Sequence, residues 1–206
     1  MLKSRLCIAF FAFAVGCAPA QKPLTDYVNP MLGTATLWDS VYLGFKPTKR
    51  TWGAEVFPGS SLPNAMVQVS PVTKFHSGAG YQYEDSVIYG FTHTNKGHWN
   101  LCHIPLLPVT GTPTPGDYCS PFSHERESAA PGYYQVFLDR YGVDAQLSST
   151  LRCAFHKYTY PAGAAPAVLA DLQRSNEHVR AWDIRKEGDN VFAGWQQTGE
   201  KMYFYA

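Results

Sequence analysis

The sequence predicts an all-β fold, a large antiparallel β-sandwich. Three observations carry that expectation: a succession of strand-like runs from residue 65 onward, turn chemistry between most of them, and almost no helical period. The first six runs are Ala65–Ser70, Val87–Thr94, His103–Val109, Tyr133–Asp139, Val143–Leu151 and Ala154–Tyr160. They are rich in β-branched and aromatic side chains, which suit a pleated, half-buried surface. Ala167–Leu172, Ala181–Arg185, Val191–Gln196 and Lys201–Ala206 continue the series. Arg140-Tyr-Gly142 and Glu187-Gly-Asp-Asn190 read as hairpin turns, because Gly, Asn and Asp tolerate positive φ.

Ahead of these strands, Pro23 to about Leu62 has no steady period and is broken by Pro30, Gly33, Gly44, Pro47, Gly53, Pro58 and Gly59, so it reads as mostly loop laid over a scaffold. One short helix is expected near His124–Ala129, ended by Pro131-Gly132.

Composition narrows the function. Charged residues are 16% of the chain, the net charge is +1 and there is no run of Lys or Arg, so nothing holds a polyanion and nucleic acid is not an expected partner. Aromatics at 15% favour strands and also supply flat platforms for sugar rings.

Met1-Leu-Lys-Ser-Arg5 followed by the apolar run Leu6–Val15 has the form of an export signal, too short for a permanent membrane span. Residues 1–20 are therefore read as a signal peptide and 21–206 as one domain. Ala14-Val-Gly-Cys17 looks like a bacterial lipobox with Cys17 as the acylated residue; Ala18-Pro-Ala20 is the competing cleavage site. The expected location is the periplasm or the outer membrane of a bacterium, with membrane contact only through that lipid. Cys102, Cys119 and Cys153 remain, an odd number with wide spacings, which allows one disulfide but reads better as buried apolar fillers.

The densest polar stretch is Phe91-Thr-His-Thr-Asn-Lys-Gly-His-Trp-Asn-Leu-Cys-His103. His93, His98 and His103 are spaced five apart, which puts successive rings on opposite faces of an extended strand, so a zinc site is not favoured. Gly97, His98, Trp99 and Asn100 combine a ring face with hydrogen-bonding groups, the mixture a carbohydrate site uses; the alternative is a loop whose Trp99 packs on the core. Glycoside hydrolysis needs two carboxylates flanking the bond. Asp39, Glu55, Glu84, Asp85, Glu125 and Glu127 are available, each read as a solvated surface charge. Ser123-His124-Glu125 is discounted as a nucleophile set, since adjacent residues rarely face one another.

An ordered series of segments resembles the N-terminal domain of glycoside hydrolase family 92. It comprises Tyr27-Val-Asn-Pro30 with Gly33-Thr34, Phe57-Pro-Gly59, Met66-Val-Gln-Val-Ser-Pro71, Gly80-Tyr81, Ile88-Tyr-Gly-Phe-Thr-His-Thr94, Phe122-Ser-His-Glu125, Ala130-Pro-Gly-Tyr-Tyr134, and Arg152 with His156-Lys-Tyr-Thr-Tyr-Pro161. The resemblance implies an exported, calcium-dependent exo-α-mannosidase that inverts the anomeric centre and acts on mannose-terminated glycans. It also implies a β-sandwich followed by an all-α barrel that carries the catalytic carboxylates and the calcium ligands. No catalytic or metal residue is then expected in this chain. Its share is one wall of the substrate pocket: Trp99, His98, Gly97 and Asn100 first, with His93, Gly33 and Thr34 as further substrate-binding candidates. Gly97-His-Trp99 stands where many members have Gly-Thr-Gly, and Pro63-Asn-Ala65 where many have Pro-Phe-Gly, which bears on linkage specificity.

Met202-Tyr-Phe-Tyr-Ala206 is as strand-like as anything upstream, so the chain reads as ending inside its fold, with the barrel as its missing partner. Two other readings stand beside the enzyme fragment. One is a non-catalytic carbohydrate-binding surface lipoprotein; the other is a structural outer-membrane accessory.

Overall fold

The structure, a computed structural model, describes residues 21–47, 56–96 and 99–206. A five-stranded antiparallel sheet is built from β1 (Ser60–Ser61), β2 (Gln68–Val72), β4 (Gly90–Thr92), β7 (Leu106–Thr110) and β13 (Pro166–Ala170), in that order. Two short pairs accompany it: β3 (Val87–Ile88) with β8 (Ser120–Pro121), and β5 (Asn95–Lys96) with β6 (Trp99–Asn100). The second layer has β9 (Glu127–Ala130), β10 (Tyr133–Leu138), β11 (Val143–Ser149) and β12 (Ala154–Thr159) in the order β12-β11-β10-β9. A third sheet runs β14 (Ala181–Gly188), β15 (Val191–Gln197) and β16 (Lys201–Tyr205).

Alternation explains why the first two sheets stack. Tyr134, Val136 and Leu138 of β10 and Val143, Ala145 and Leu147 of β11 point to one face and are buried, while the residues between them are not. They meet Val69, Phe91, Leu107 and Val109 from the five-stranded sheet in one hydrophobic cluster, which makes the two layers a sandwich. Each fully buried aliphatic side chain contributes about 1.5–3 kcal/mol, so this double layer carries most of the stability. Gly142, at φ 64, makes the turn between β10 and β11.

The approach of β1 to β2 depends on Gly59. A Cβ there would lie 1.8 Å from the Val69 carbonyl oxygen, which is backbone and has nowhere to go. Gly59→Ala is expected to cost about 2–4 kcal/mol, against under about 1 kcal/mol for Ala162→Gly in an exposed turn; urea denaturation of the two variants checks this.

Two expectations need correction and one, the mostly loop stretch before Leu62, is refined. The segment read as a helix, His124–Ala129, is a single 3-10 turn (His124–Arg126) that Ser123 caps, followed directly by β9; Glu127 pairs with Val136, and that ladder outcompetes the helix. The loop-like stretch before Leu62 contains a short helix, α1 (Ser40–Leu43). Asp39 Oδ1 accepts from the Val41 and Tyr42 amides at its start, and Gly44, at φ 71, ends it. Of the three cysteines read as fillers, Cys102 is buried, Cys119 only partly, and Cys153 is exposed; none is in a disulfide. Among the described residues, no helix is long and apolar enough to cross a membrane.

Candidate functional site

β4 leads through His93 and Thr94 into the narrow ribbon of β5 and β6, where Asn95 pairs with Asn100 and Lys96 with Trp99. Gly97 and His98, at its tip, lie outside the described residues, as do Cys17, Glu55 and the leader. Trp99 is 44% exposed and so does not pack into the core. Its neighbour Asn100 is fully buried, which is the alternation of a strand with one face to solvent.

The ribbon stands on polar groups. Asn100 donates its amide N–H to the Gly78 carbonyl at 2.8 Å, and its Oδ1 accepts from Cys102 N at 2.8 Å and from the Thr92 hydroxyl at 3.3 Å. Its Nδ2 has no partner among the described residues and lies against Gly80, where a Cβ would come within 2.6 Å. The chain then turns through Cys102 (φ 53) and Ile104 (φ 54), both left-handed without being glycine, and Ile104 is β-branched besides. Burial pushes the Cys102 thiol far above its ordinary range, so it is inert filler and no nucleophile.

His93 and His103, the described histidines of this stretch, do not converge. His103 is fully buried between Thr94 Oγ1 (2.9 Å, to Nδ1) and Thr198 Oγ1 (3.0 Å, to Nε2). Thr198 gives its proton to Glu177 at 2.6 Å, so it accepts from His103 Nε2–H. Burial lowers the pKa of His103 and keeps the ring neutral. His93 donates from Nδ1 to the Ile104 carbonyl at 2.9 Å, and its Nε2 meets His156 Nε2 at 3.0 Å; His156 Nδ1 in turn meets the Tyr158 hydroxyl at 2.7 Å. Desolvation lowers His93 to about 4 and, with the His93 ring beside it, His156 to about 3. One proton arrangement fits all of this: Tyr158 O–H to His156 Nδ1, His156 Nε2–H to His93 Nε2, and His93 Nδ1–H to the Ile104 carbonyl. Both nitrogens of His93 are thus committed within the fold.

Gly33 (φ 90) and Thr34 lie in a turn; the Thr34 hydroxyl donates to the Met31 carbonyl at 2.8 Å and the residue is buried. One loop touches this turn and the Trp99 ribbon alike: Gly78 accepts from Asn100, and Tyr83 N donates to the Thr34 carbonyl at 3.2 Å.

Glu127, read from the sequence as a surface charge, is the opposite. Its side chain is 1% exposed, on the inner face of β9. It accepts from the Tyr81 hydroxyl at 2.9 and 3.0 Å, from the Tyr134 hydroxyl at 2.6 Å, and pairs with His124 Nδ1 at 2.6 Å. Burial, with the carboxylate second, raises the pKa of both tyrosines well above the usual range, so both remain donors. His124 Nε2 faces the Tyr83 carbonyl at 2.6 Å and its ring stacks on that of Tyr83, so the network also pins the loop that reaches Thr34. The spacing His124-x-x-Glu127 across a tight turn was the only sequence signal for it. Asp39 and Glu84 are also occupied, capping α1 and accepting Thr36 N at 2.7 Å.

A calcium cage takes about six to eight oxygen ligands. Among the described residues no group of three or more His, Cys, Asp and Glu side chains is placed to hold a metal ion. An open cleft of about 530 Å³ lies between Thr73–Phe75, Glu84–Val87, Tyr89 and Arg174, and does not include Trp99.

Residues 27–206 match the family model of the glycosyl hydrolase family 92 N-terminal domain. Among solved structures, the chain is similar to a family GH92 α-mannosidase from Bacteroides thetaiotaomicron in complex with mannoimidazole. The TM-score is 0.74 at 27% identity, over 89% of this chain and 25% of that one. A GH92 family glycosyl hydrolase follows at TM-score 0.67 and 25% identity, over 88% of this chain and 25% of that one. An inverting mannosidase of the family from Bacteroides thetaiotaomicron VPI-5482 shares the fold at TM-score 0.69 and 24% identity, over 90% and 25% of the two chains. The chain thus spans about a quarter of the length of these solved chains. No curated protein sequence matches it.

Proposed function

Because the chain belongs to glycosyl hydrolase family 92 and carries its N-terminal domain, we propose that it forms one wall of the substrate pocket of an exported α-mannosidase. The observation that carries this reading is Trp99: a large indole, 44% exposed, on a strand whose next residue is anchored in the interior. A sugar ring stacks on such a face while nearby amides fix its hydroxyls. Asn100 acts from behind by holding the strand, and His93 supports it through Ile104; the Gly33-Thr34 turn lies at the far end of the same connecting loop.

In this reading the wall binds and orients a mannose-terminated glycan and excludes water from one side of the bond. The general acid, the general base of inverting hydrolysis and the calcium ligands belong to groups outside this chain. Glu127 does not serve, since four hydrogen bonds in the core occupy its oxygens. Export through residues 1–20, with Cys17 as the lipid acceptor, completes the proposal.

Retention of the chain on immobilised α-mannan tests the wall. Trp99→Ala is expected to abolish retention, a loss of about 2 kcal/mol or more for a stacked aromatic anchor, with the unfolding midpoint unchanged; unaltered retention removes Trp99 from the site. A rival, the non-catalytic surface lipoprotein, predicts the same retention. It separates from the enzyme reading at the gene: a coding frame that continues past Ala206 into a helical domain favours the enzyme, and a stop codon there favours the binder.

A further inference from the structure

We propose that Gln196, on the C-terminal sheet, is a positioning residue for Trp99; the inference rests on the sugar-platform reading above. Gln196 is fully buried and uses its whole amide: Oε1 accepts from Ile104 N at 2.9 Å, and Nε2 donates to the Leu172 and Arg174 carbonyls at 3.0 and 2.9 Å. Two residues further on, Thr198 accepts from His103. Residues i and i+2 of an extended chain share a face, so one face at the end of β15 grips two consecutive residues, His103 and Ile104.

Those two residues sit in the strained part of the molecule. Cys102 and Ile104 hold left-handed φ without being glycine, and three residues before Cys102 stands Trp99. The same segment contains a fully buried amide donor, Asn100 Nδ2, without a partner among the described residues. A strained backbone persists only where surrounding bonds over-determine it, and such strain gathers at ligand sites. Here the bonds come from several sides: Gln196 on Ile104 N, His93 on the Ile104 carbonyl, Asn100 on Cys102 N, and Asn176 on the Asn100 carbonyl. Of these, Gln196 and Asn176 come from chain that follows residue 170, while His93 and Asn100 flank the turn locally and the Gly78 carbonyl holds Asn100 N from the preceding loop. The C-terminal sheet thereby sets the angle at which the Trp99 strand leaves the sandwich.

The test compares Gln196→Met, Thr198→Val and Trp99→Ala in the same chain, by affinity for a soluble α-mannose oligosaccharide and by residue-resolved amide exchange. Gln196→Met is expected to weaken affinity about tenfold or more and to speed exchange at Leu101 and Ile104, while β11 exchanges as in the parent. Thr198→Val, which releases His103 and also removes the bond to Glu177, is expected to act in the same direction and serves if Gln196→Met does not fold. Trp99→Ala is expected to lose affinity with Ile104 exchange unchanged. If Trp99→Ala binds normally, the sugar-platform reading fails. If it loses binding while the Gln196 and Thr198 variants bind as the parent does, positioning fails and the platform stands. Exchange that accelerates equally in β11 makes Gln196 a stability residue only and overturns the proposal.

Discussion

Glu127→Ala is expected to destabilise the chain by about 3–5 kcal/mol, the cost of breaking a buried, hydrogen-bonded charge network from one side. The substitution leaves the Tyr81 and Tyr134 hydroxyls without an acceptor, strips His124 Nδ1 of its partner, and opens a void on the inner face of β9. Glu127→Gln is the informative companion. Its Oε1 still accepts from the tyrosines. His124, whose Nε2–H is committed to the Tyr83 carbonyl, has a bare Nδ1 in its neutral form and accepts from the new amide. That variant should lose about 1–2 kcal/mol. Urea unfolding of both checks the pair; equal losses, or an alanine variant within about 1 kcal/mol of the parent, show that the network contributes little.

Acid should unfold this protein through His93 and His156. Both rings are neutral in the fold, with pKa values of about 4 and about 3, while the unfolded chain takes up protons near pH 6.5. The folded values are depressed, so between about pH 6.5 and 4 the unfolded state binds more protons than the native state. The contribution to stability is complete above pH 6.5 and is lost as pH falls toward the folded values. The slope is about 1.4 kcal/mol per pH unit for each ring. Protonating His93 at Nε2 also sets N–H against N–H at a 3.0 Å contact, and protonating His156 at Nδ1 sets its new N–H against the Tyr158 O–H. His156→Gln offers a similar donor to His93 and a similar acceptor to Tyr158 without titrating. Its stability should therefore fall less steeply between pH 6 and 4 than the parent's, by about one ring's slope. Carboxylates and His103 add to acid loss in both proteins and cancel in the difference. Parallel curves for parent and variant contradict the assignment.

The sandwich was legible where alternation is strict. Tyr133–Leu138 and Val143–Ser149 match the expected runs within two residues, and Gly142 sits in the predicted turn, because one face of each strand must be apolar to be buried. Val87–Thr94 was read as one strand and is two, β3 and β4, each paired with a different neighbour. The candidate site was legible in part. The exposure of Trp99 on a ribbon could be expected from the polar stretch around it, whereas the separate partners of His93 and His103, ten residues apart and of equal strand parity, could not be read from the spacing. Glu127 was missed because its partners Tyr81, Tyr134 and His124 come from three segments, and pairing across sheets leaves no trace in local composition. Gln196 was hidden for the same reason: a glutamine in a strand reads as a solvent-facing residue until topology brings Ile104, 92 positions earlier, beneath it.

The most direct measurement is a two-dimensional NMR titration of the chain with an α-linked mannose oligosaccharide, following assigned amides and the tryptophan side-chain N–H signals. The expected result is a saturating shift of the Trp99 indole N–H together with the amides of Trp99 to Leu101, and little change at Thr73 to Phe75 and Arg174 around the open cleft. Shifts confined to that cleft with Trp99 silent would place the glycan elsewhere and contradict the proposed wall.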